Sequence, residues 1–240
     1  MKSLRIVPVL CVCLLALMHA GTALAQKNLQ GIALVIGQSA YEHVPALPNP
    51  ANDAREMVKL LTDLGFDANS VTDRDTRRLA RDLERFVEDA AEADVALIYY
   101  SGHGVEAGGE NWLLPVDADM GSLDNASEKL VLLSAVIDAL KRSVPVTIVL
   151  LDACRTNPFP PGTLVKATPD DAGAPAGASG LTAVRGAAPL SQLWPAAADS
   201  LGVVIGFAAE PGLPALDGTP GGTSPYASAL LRHLQRARSA

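Results

Sequence analysis

The chain alternates between short, uninterrupted apolar runs and longer segments whose apolar residues recur every three or four positions. Gly31 to Gly37 (GIALVIG) is an apolar run bounded by glycines, which predicts a strand buried on both faces. Asn49 and Pro50 then start a helix as its N-cap and first helical residue, and Gly65 ends it. The apolar residues of this helix share one face: Ala54, Met57, Leu60, Leu61 and Leu64.

The same order of strand, loop and helix repeats along the chain. Further strands are predicted at 66–71, 95–100, 146–151 and 203–208, a short extended piece at 112–116, and further helices at 79–90, at 134–141 and after the Ser224-Pro225 cap. Alternating strands and helices of these lengths imply a parallel sheet with helices on both faces. The predicted fold is therefore α/β, a three-layer αβα sandwich with a mostly parallel central sheet.

Residues 157–195 interrupt this pattern. They contain seven prolines and five glycines among alanines, with little periodicity. This composition predicts a long mobile linker, and a structureless stretch of such length inside a domain usually marks a functional or processing site.

The first 25 residues have the organisation of a secretory signal peptide. Two basic residues precede an apolar stretch at 6–18, and small residues ahead of Gln26 form a cleavage site. The apolar stretch is shorter than the roughly 20 residues that a bilayer span needs. We therefore expect a signal peptide at 1–25 and a single exported domain at 26–240, periplasmic or secreted, without stable membrane insertion.

Removal of the signal peptide changes the charge and the cysteine content. Without Lys2 and Arg5, 17 basic residues face 26 acidic ones, and a net charge of 17 − 26 = −9 argues against nucleic acid and anionic membranes as partners. Cys11 and Cys13 are lost as well, so Cys154 is the only thiol of the mature protein. Exported proteins commonly pair their cysteines, so an unpaired one suggests a chemical role.

Two predicted strands run directly into chemically reactive residues. VALIYY is followed by Ser101-Gly102-His103-Gly104, and IVLL is followed by Asp152-Ala153-Cys154-Arg155. The carboxyl ends of parallel strands lie at one edge of a sheet, where ligands bind. His103 and Cys154 can therefore meet although 51 positions separate them.

Cys154 and His103 together suit nucleophilic catalysis, although either residue alone would be explained as packing or as the end of a strand. A thiol with its free pKa of about 8.5 is mostly protonated at neutral pH, so it needs a neighbouring base. Histidine usually supplies that base. The unshielded N–H of a neighbouring glycine suits an oxyanion. These residue types predict acyl transfer through a thioester.

The order of motifs resembles the caspase and metacaspase family of cysteine peptidases across essentially the whole mature chain. A histidine about 50 residues upstream of the cysteine is typical of caspases. The motifs that carry the resemblance are ALVIG, NPANDAREMVKLLTDLGF, ALIYYSGHG, WLLPVDA, IVLLDAC and SPYASALLRHL.

The resemblance implies a role for each residue of the two reactive segments. His103 is the general base and acid, Cys154 the nucleophile, and the N–H groups of Gly104 and Cys154 the oxyanion hole. Asp152 matches the aspartate with which metacaspases bind a basic P1 side chain, and Ser101 matches another wall of that pocket. A partly buried carboxylate favours Arg or Lys on chemical grounds too, although Asp152 could instead accept structural hydrogen bonds from nearby N–H groups. A protein or peptide substrate and no cofactor are implied.

The sequence also departs from the family patterns. Arg155-Thr156-Asn157 matches neither the Arg-Gly of caspases nor the His-Ser-Gly of metacaspases after the cysteine. Leu47 lies near the place of the caspase S1 arginine, which argues against cleavage after aspartate and favours the prokaryotic metacaspase-like branch. Calcium activation, known for some metacaspases, has only a faint candidate site in three acids: Asp117, Asp119 and Asp124.

The 157–195 linker lies where this family carries its activation linker. If the enzyme prefers a basic P1 residue, Lys166 and Arg185 are the only basic residues between Thr156 and the last strand. Self-cleavage is therefore expected after one of them.

Other polar residues have simpler explanations. Asp53 lies in the first turn of a helix, where an acid favours the macrodipole. Asp217 with Gly218 suits a turn, although the resemblance implies that this loop borders the substrate cleft. His43 is expected in a loop and His233 on the surface of the last helix.

Two other classes of function remain open. A catalytically silent caspase-like module would keep the fold and act by docking a partner. A redox-active thiol protein would need a resolving cysteine, which the mature chain lacks. The oligomeric state is not indicated by any pattern in the sequence.

Overall fold

The computed structural model describes residues 29–107, 110–119, 125–154, 164–166, 173–175, 202–209 and 215–238. The predicted signal peptide, Arg185 and most of the predicted linker lie outside these ranges. Among the helices of the described ranges, none is long and apolar enough to cross a membrane.

The predicted elements appear in the predicted order, and the first helix lies within one residue of its predicted boundaries. The second helix begins at Thr76, three residues before its predicted start. The strands are β1 (Gly31–Gly37), β2 (Phe66–Thr72), β3 (Val95–Ala107), β4 (Glu110–Leu113), β5 (Val131–Leu132), β6 (Val146–Cys154), β7 (Leu164–Val165), β8 (Ala174–Pro175) and β9 (Gly202–Phe207). The helices are α1 (Pro50–Asp63), α2 (Thr76–Asp89), α3 (Ala126–Lys129), α4 (Leu133–Lys141) and α5 (Pro225–Arg238), with a 3₁₀ turn at Ala90–Glu92.

A mostly parallel sheet forms the centre of the domain. Five parallel strands lie in the order β2, β1, β3, β6 and β9. β4 pairs antiparallel with β3, and β5 pairs antiparallel with β4. Helices pack on both faces, so the predicted three-layer α/β fold is confirmed.

Strand β1 shows why its apolar run is uninterrupted. Ile36 packs on one face of the sheet with Leu79 of α2 and Ile137 of α4. Val35 packs on the other face with Met57 of α1. Burying each large apolar side chain contributes about 1.5–3 kcal/mol, so a polar residue on either face of this strand would be costly.

Strands β3 and β6 are longer than their apolar runs. β3 continues to Ala107 and β6 to Cys154, whereas the hydrophobic pattern ends both strands before the reactive segments. Residues 101–103 pair with 152–154, and the rest of β3 pairs with β4. Main-chain hydrogen bonds do not depend on side-chain polarity, so pairing extends both strands through polar and glycine positions. The reactive residues therefore lie on paired strands and not in turns.

Two short pieces of the predicted linker also differ from expectation, because β7 and β8 form a small antiparallel sheet. Lys166 directly follows β7. Its carbonyl accepts a hydrogen bond of 2.7 Å from the N–H of Ala126, at the start of α3. One of the two expected self-cleavage positions is therefore attached to the body of the domain.

Candidate active site

Strands β3 and β6 bring positions 103 and 154 together. His103 and Cys154 are the last register partners of the two parallel strands. Adjacent strands lie about 4.8 Å apart, so the two backbones are close neighbours. Of Cys154, the structure describes the backbone. The pairing accounts physically for how residues 51 positions apart meet.

The His103 ring is held in a defined orientation by its neighbours. It is 8% exposed, lies 4.6 Å from the Tyr41 ring between centroids, and its Nε2 bonds the Pro45 carbonyl at 2.8 Å. A carbonyl can only accept, so Nε2 carries the hydrogen and Nδ1 is the basic nitrogen. Burial lowers the pKa of His103, although the Pro45 carbonyl and the Asp217 carboxylate oppose that shift. The imidazole is therefore neutral at neutral pH and can accept a proton.

Two tyrosines fix the backbone of His103, a contribution that the sequence did not reveal. The His103 N–H donates to the Tyr41 hydroxyl at 2.7 Å, and the Tyr100 hydroxyl donates to the His103 carbonyl at 2.7 Å. A Cβ at Gly102 would lie 2.7 Å and 2.8 Å from these two hydroxyl oxygens. The glycine before the histidine is thus required by the approach of the two tyrosines.

The N–H of Gly104 faces β6. The carbonyls of Ser101 and His103 accept hydrogen bonds from Gln38, which follows β1, and from Leu114, which follows β4. Backbone groups alternate between the two sides of a strand, so the groups of Gly104 point the opposite way. The end of β6, where Cys154 lies, is on that side of β3. The predicted oxyanion hole requires the Gly104 N–H to point toward Cys154, as it does here.

Asp152 is buried, and its Oδ2 is fully engaged. Tyr99 donates its hydroxyl to Oδ2 at 3.0 Å, and the Ser224 hydroxyl donates to the same atom. Burial raises the pKa of Asp152, while these two hydrogen bonds work in the opposite direction. The backbone N–H of Ala227 also favours the ionised form of Asp152 and so lowers its pKa.

Ser101 and Asp53 form a second polar contact beneath the same site. The Ser101 hydroxyl donates to Asp53 Oδ2 at 3.0 Å, and the Ser224 N–H donates to Oδ1 at 2.9 Å. Asp53 is completely buried, and this burial raises its pKa to about 6. The macrodipole explanation is therefore insufficient for Asp53. Its spacing in the sequence could have indicated this burial. Asp53 lies four residues before Met57, which places it on the apolar face of α1.

A shallow, open cleft lies above these groups, and Asp217 is part of its wall. Burial raises the pKa of Asp217, while a hydrogen bond from the Asn49 backbone N–H and the electrostatic interaction with the His103 ring oppose that shift. Its Oδ2 is buried without a hydrogen-bond partner among the described residues. Gly218, at φ +83°, serves the predicted turn, but Asp217 also faces the site. The residues that line the cleft are Leu47, Pro50, Ser101, Gly102, Asp152, Ala215, Leu216 and Asp217.

The remaining candidates lie elsewhere. Asp117 Oδ1 accepts hydrogen bonds of 2.8 Å and 2.9 Å from the N–H and hydroxyl of Thr76, at the start of α2. Asp124 and Arg155 lie outside the described residues, and no group of metal-binding side chains is found within the described ones. His43 lies in the loop before α1 and His233 is exposed on α5, as predicted.

A family model described as the caspase domain matches residues 30–240 of the chain. The chain belongs to the caspase-domain family of cysteine peptidases. The resemblance drawn from the motif order is thereby confirmed over residues 30–240, and the cleft described above lies within the matched caspase domain.

Two curated relatives match part of this caspase domain. They are the mucosa-associated lymphoid tissue lymphoma translocation protein 1 of Homo sapiens and its homolog of Mus musculus. Each is 29% identical over 125 residues, which is 52% of this chain and 15% of the relative. The chain thus corresponds to a small part of these longer proteins.

A solved structure was also matched, protein GSU0716 from Geobacter sulfurreducens. Its TM-score is 0.41 at 18% identity, and the match covers 52% of this chain and 50% of that chain.

Proposed function

We propose that this caspase domain is an exported cysteine endopeptidase that uses Cys154 and His103 and cleaves after Arg or Lys. The observation that carries the proposal is the register of β3 and β6, which pairs position 103 with position 154. Beside this pair lies a cleft with Asp152 and Asp217 in its wall. Family membership implies a protein substrate.

The chemistry follows from the atoms around His103. Its Nδ1 takes the proton of the Cys154 thiol, and the sulfur forms a bond to the scissile carbonyl carbon. The oxyanion accepts hydrogen bonds from the N–H groups of Gly104 and Cys154, and each such donor contributes about 10²–10³ in rate. When the intermediate collapses, the amine leaves with the proton from His103, and a thioester remains. Water then attacks the thioester and returns a proton to the sulfur by way of His103.

The preference for a basic P1 residue rests on two carboxylates in the wall of the cleft, Asp152 and Asp217. Asp217 Oδ2 is buried and has no hydrogen-bond partner among the described residues. Burial makes their charges costly, and a guanidinium or ammonium group would neutralise them. Leu47 lies where an aspartate-directed caspase has an arginine, and the cleft has no basic residue among its described lining. An acidic P1 side chain would therefore be repelled.

The experiment that tests this function is a cleavage profile with a library of fluorogenic peptides that differ only at P1. We expect hydrolysis to be confined to Arg and Lys, because only these side chains neutralise the cleft. A profile dominated by Asp, or by apolar P1 residues, would contradict the proposed specificity, and no hydrolysis of any peptide would favour the silent binding module.

Intact-mass analysis tests the proposals of export and self-cleavage together. Protein secreted by a bacterial host is expected to begin at Gln26, because small residues precede that position. On storage it should give two fragments, cut after Lys166 or Arg185, while a Cys154→Ala preparation stays whole. A single uncut chain with full peptidase activity would remove the self-cleavage proposal.

A further inference from the structure

Asn49 does not act as the helix cap that its position suggests. It is the N-cap residue of α1, but its side chain makes no capping hydrogen bond and it is completely buried. Its amide instead contacts the loop before α5. Nδ2 donates to the carbonyls of Asp217 and Thr219, the latter at 3.0 Å, and Oδ1 accepts from the N–H of Gly221 at 3.0 Å.

These hydrogen bonds join segments that are distant in sequence, since 168 positions separate Asn49 from Asp217. They use both donors of the amide, and they hold a loop that turns sharply at Gly218 (φ +83°) and Gly221 (φ +82°). A Cβ at Gly218 would lie 2.9 Å from the Thr223 carbonyl, so the turn is tightly packed. One buried side chain thus holds the path of the backbone from Asp217 to Gly221.

The Asn49 backbone also reaches the carboxylate that the loop presents. Its N–H favours the ionised form of Asp217 and so lowers the pKa of this group. Asn52, one turn later in α1, donates from Nδ2 to the Gly222 carbonyl and holds only the far end of the loop. Asn49, the N-cap of α1, is therefore the residue that contacts Asp217 itself, at both its carbonyl and its carboxylate.

We propose that Asn49 is a positioning residue for substrate selection, which holds the 217–221 loop so that Asp217 stays in the cleft and meets a basic P1 side chain. This inference rests on the proposed function. A purely structural role would lower stability and affect every substrate equally. A positioning role changes the selection of charge at P1.

The test compares peptides with Arg and with citrulline at P1, because citrulline is the neutral isostere of arginine. In Asn49→Ala, the ratio of kcat/KM for Arg to kcat/KM for citrulline is expected to fall about tenfold, through a higher KM for Arg with kcat changed less than about threefold. Ile137→Val, a core change in α4 far from the cleft, is the control for lost stability. It should leave the ratio unchanged.

A double-mutant cycle decides whether Asn49 acts through Asp217. If it does, Asn49→Ala should have no further effect on the ratio in an Asp217→Asn background. Additive losses, or an unchanged ratio in Asn49→Ala, would overturn the positioning role while leaving the proposed peptidase intact. If Asn49→Ala does not fold, Asn49→Ser is used instead, because serine keeps one donor. The same ratio of kcat/KM for Arg and citrulline peptides is then measured. A wild-type enzyme that cleaves Arg and citrulline peptides equally would overturn both proposals.

Discussion

Replacing Cys154 with alanine is expected to reduce hydrolysis of Arg and Lys peptides by at least about 10³-fold, and His103→Ala should do the same. The reason is that the two residues act as a unit: without the sulfur no thioester forms, and without the imidazole the thiol stays protonated. The measurement is kcat/KM with a P1 Arg peptide. The double variant should be no slower than either single variant.

A matched control separates lost chemistry from lost folding. His233 is an exposed histidine on α5, so His233→Ala should keep wild-type kcat/KM. All variants should keep cooperative thermal unfolding. Activity that survives in Cys154→Ala would defeat the thioester mechanism, and binding of an uncleaved partner by an inactive wild-type protein would support the docking module instead.

Asp152→Asn is expected to lower kcat/KM for P1 Arg peptides by about 100-fold and to leave P1 citrulline peptides within a few-fold of wild type. Loss of one charge from a desolvated, hydrogen-bonded pair costs roughly 2–5 kcal/mol. Asparagine has nearly the same shape, and its oxygen can still accept from Tyr99 and Ser224. The variant should therefore lose recognition of a charged P1 side chain and keep its fold.

The control for this variant is Asp138→Asn. Asp138 is a half-exposed carboxylate on α4, 3.6 Å from the Lys141 ammonium, so its replacement removes the same charge far from the cleft. Kinetics on both peptides should then be unchanged. Equal losses on Arg and citrulline peptides in Asp152→Asn would show that Asp152 only supports the strand end, which is its simpler structural role.

The same carboxylates determine the acid side of the pH profile. Burial raises the pKa of Asp152 and of Asp217. The ionised form binds a basic side chain and exists above the pKa, so Arg hydrolysis is lost as pH falls through these raised values. If these aspartates were exposed, with the ordinary pKa of about 3.9, hydrolysis of Arg peptides would be lost only at lower pH. The ratio of Arg to citrulline hydrolysis isolates this effect, because protonation of His103 affects both peptides alike.

Much of the fold was predictable because its determinants are local. The apolar run of β1 and the apolar face of α1 are encoded in neighbouring residues, and both appear at the predicted boundaries. The pairing of the two reactive segments was also predictable, since strands of a parallel sheet end at one edge. The lengths of β3 and β6 were not, because pairing with neighbouring strands extends them beyond their apolar runs.

The candidate site, like the fold, was predictable only in part. The sequence by itself determined that one thiol, one histidine between glycines and one acid before the thiol follow predicted strands, because these are properties of adjacent residues. Only the tertiary structure decided that Asp53, Asp217 and Asn49 belong with them. Their contacts cross 48 to 171 positions of the chain. No local pattern encodes such contacts, because they arise only when α1 and the loop before α5 pack against the same end of the sheet.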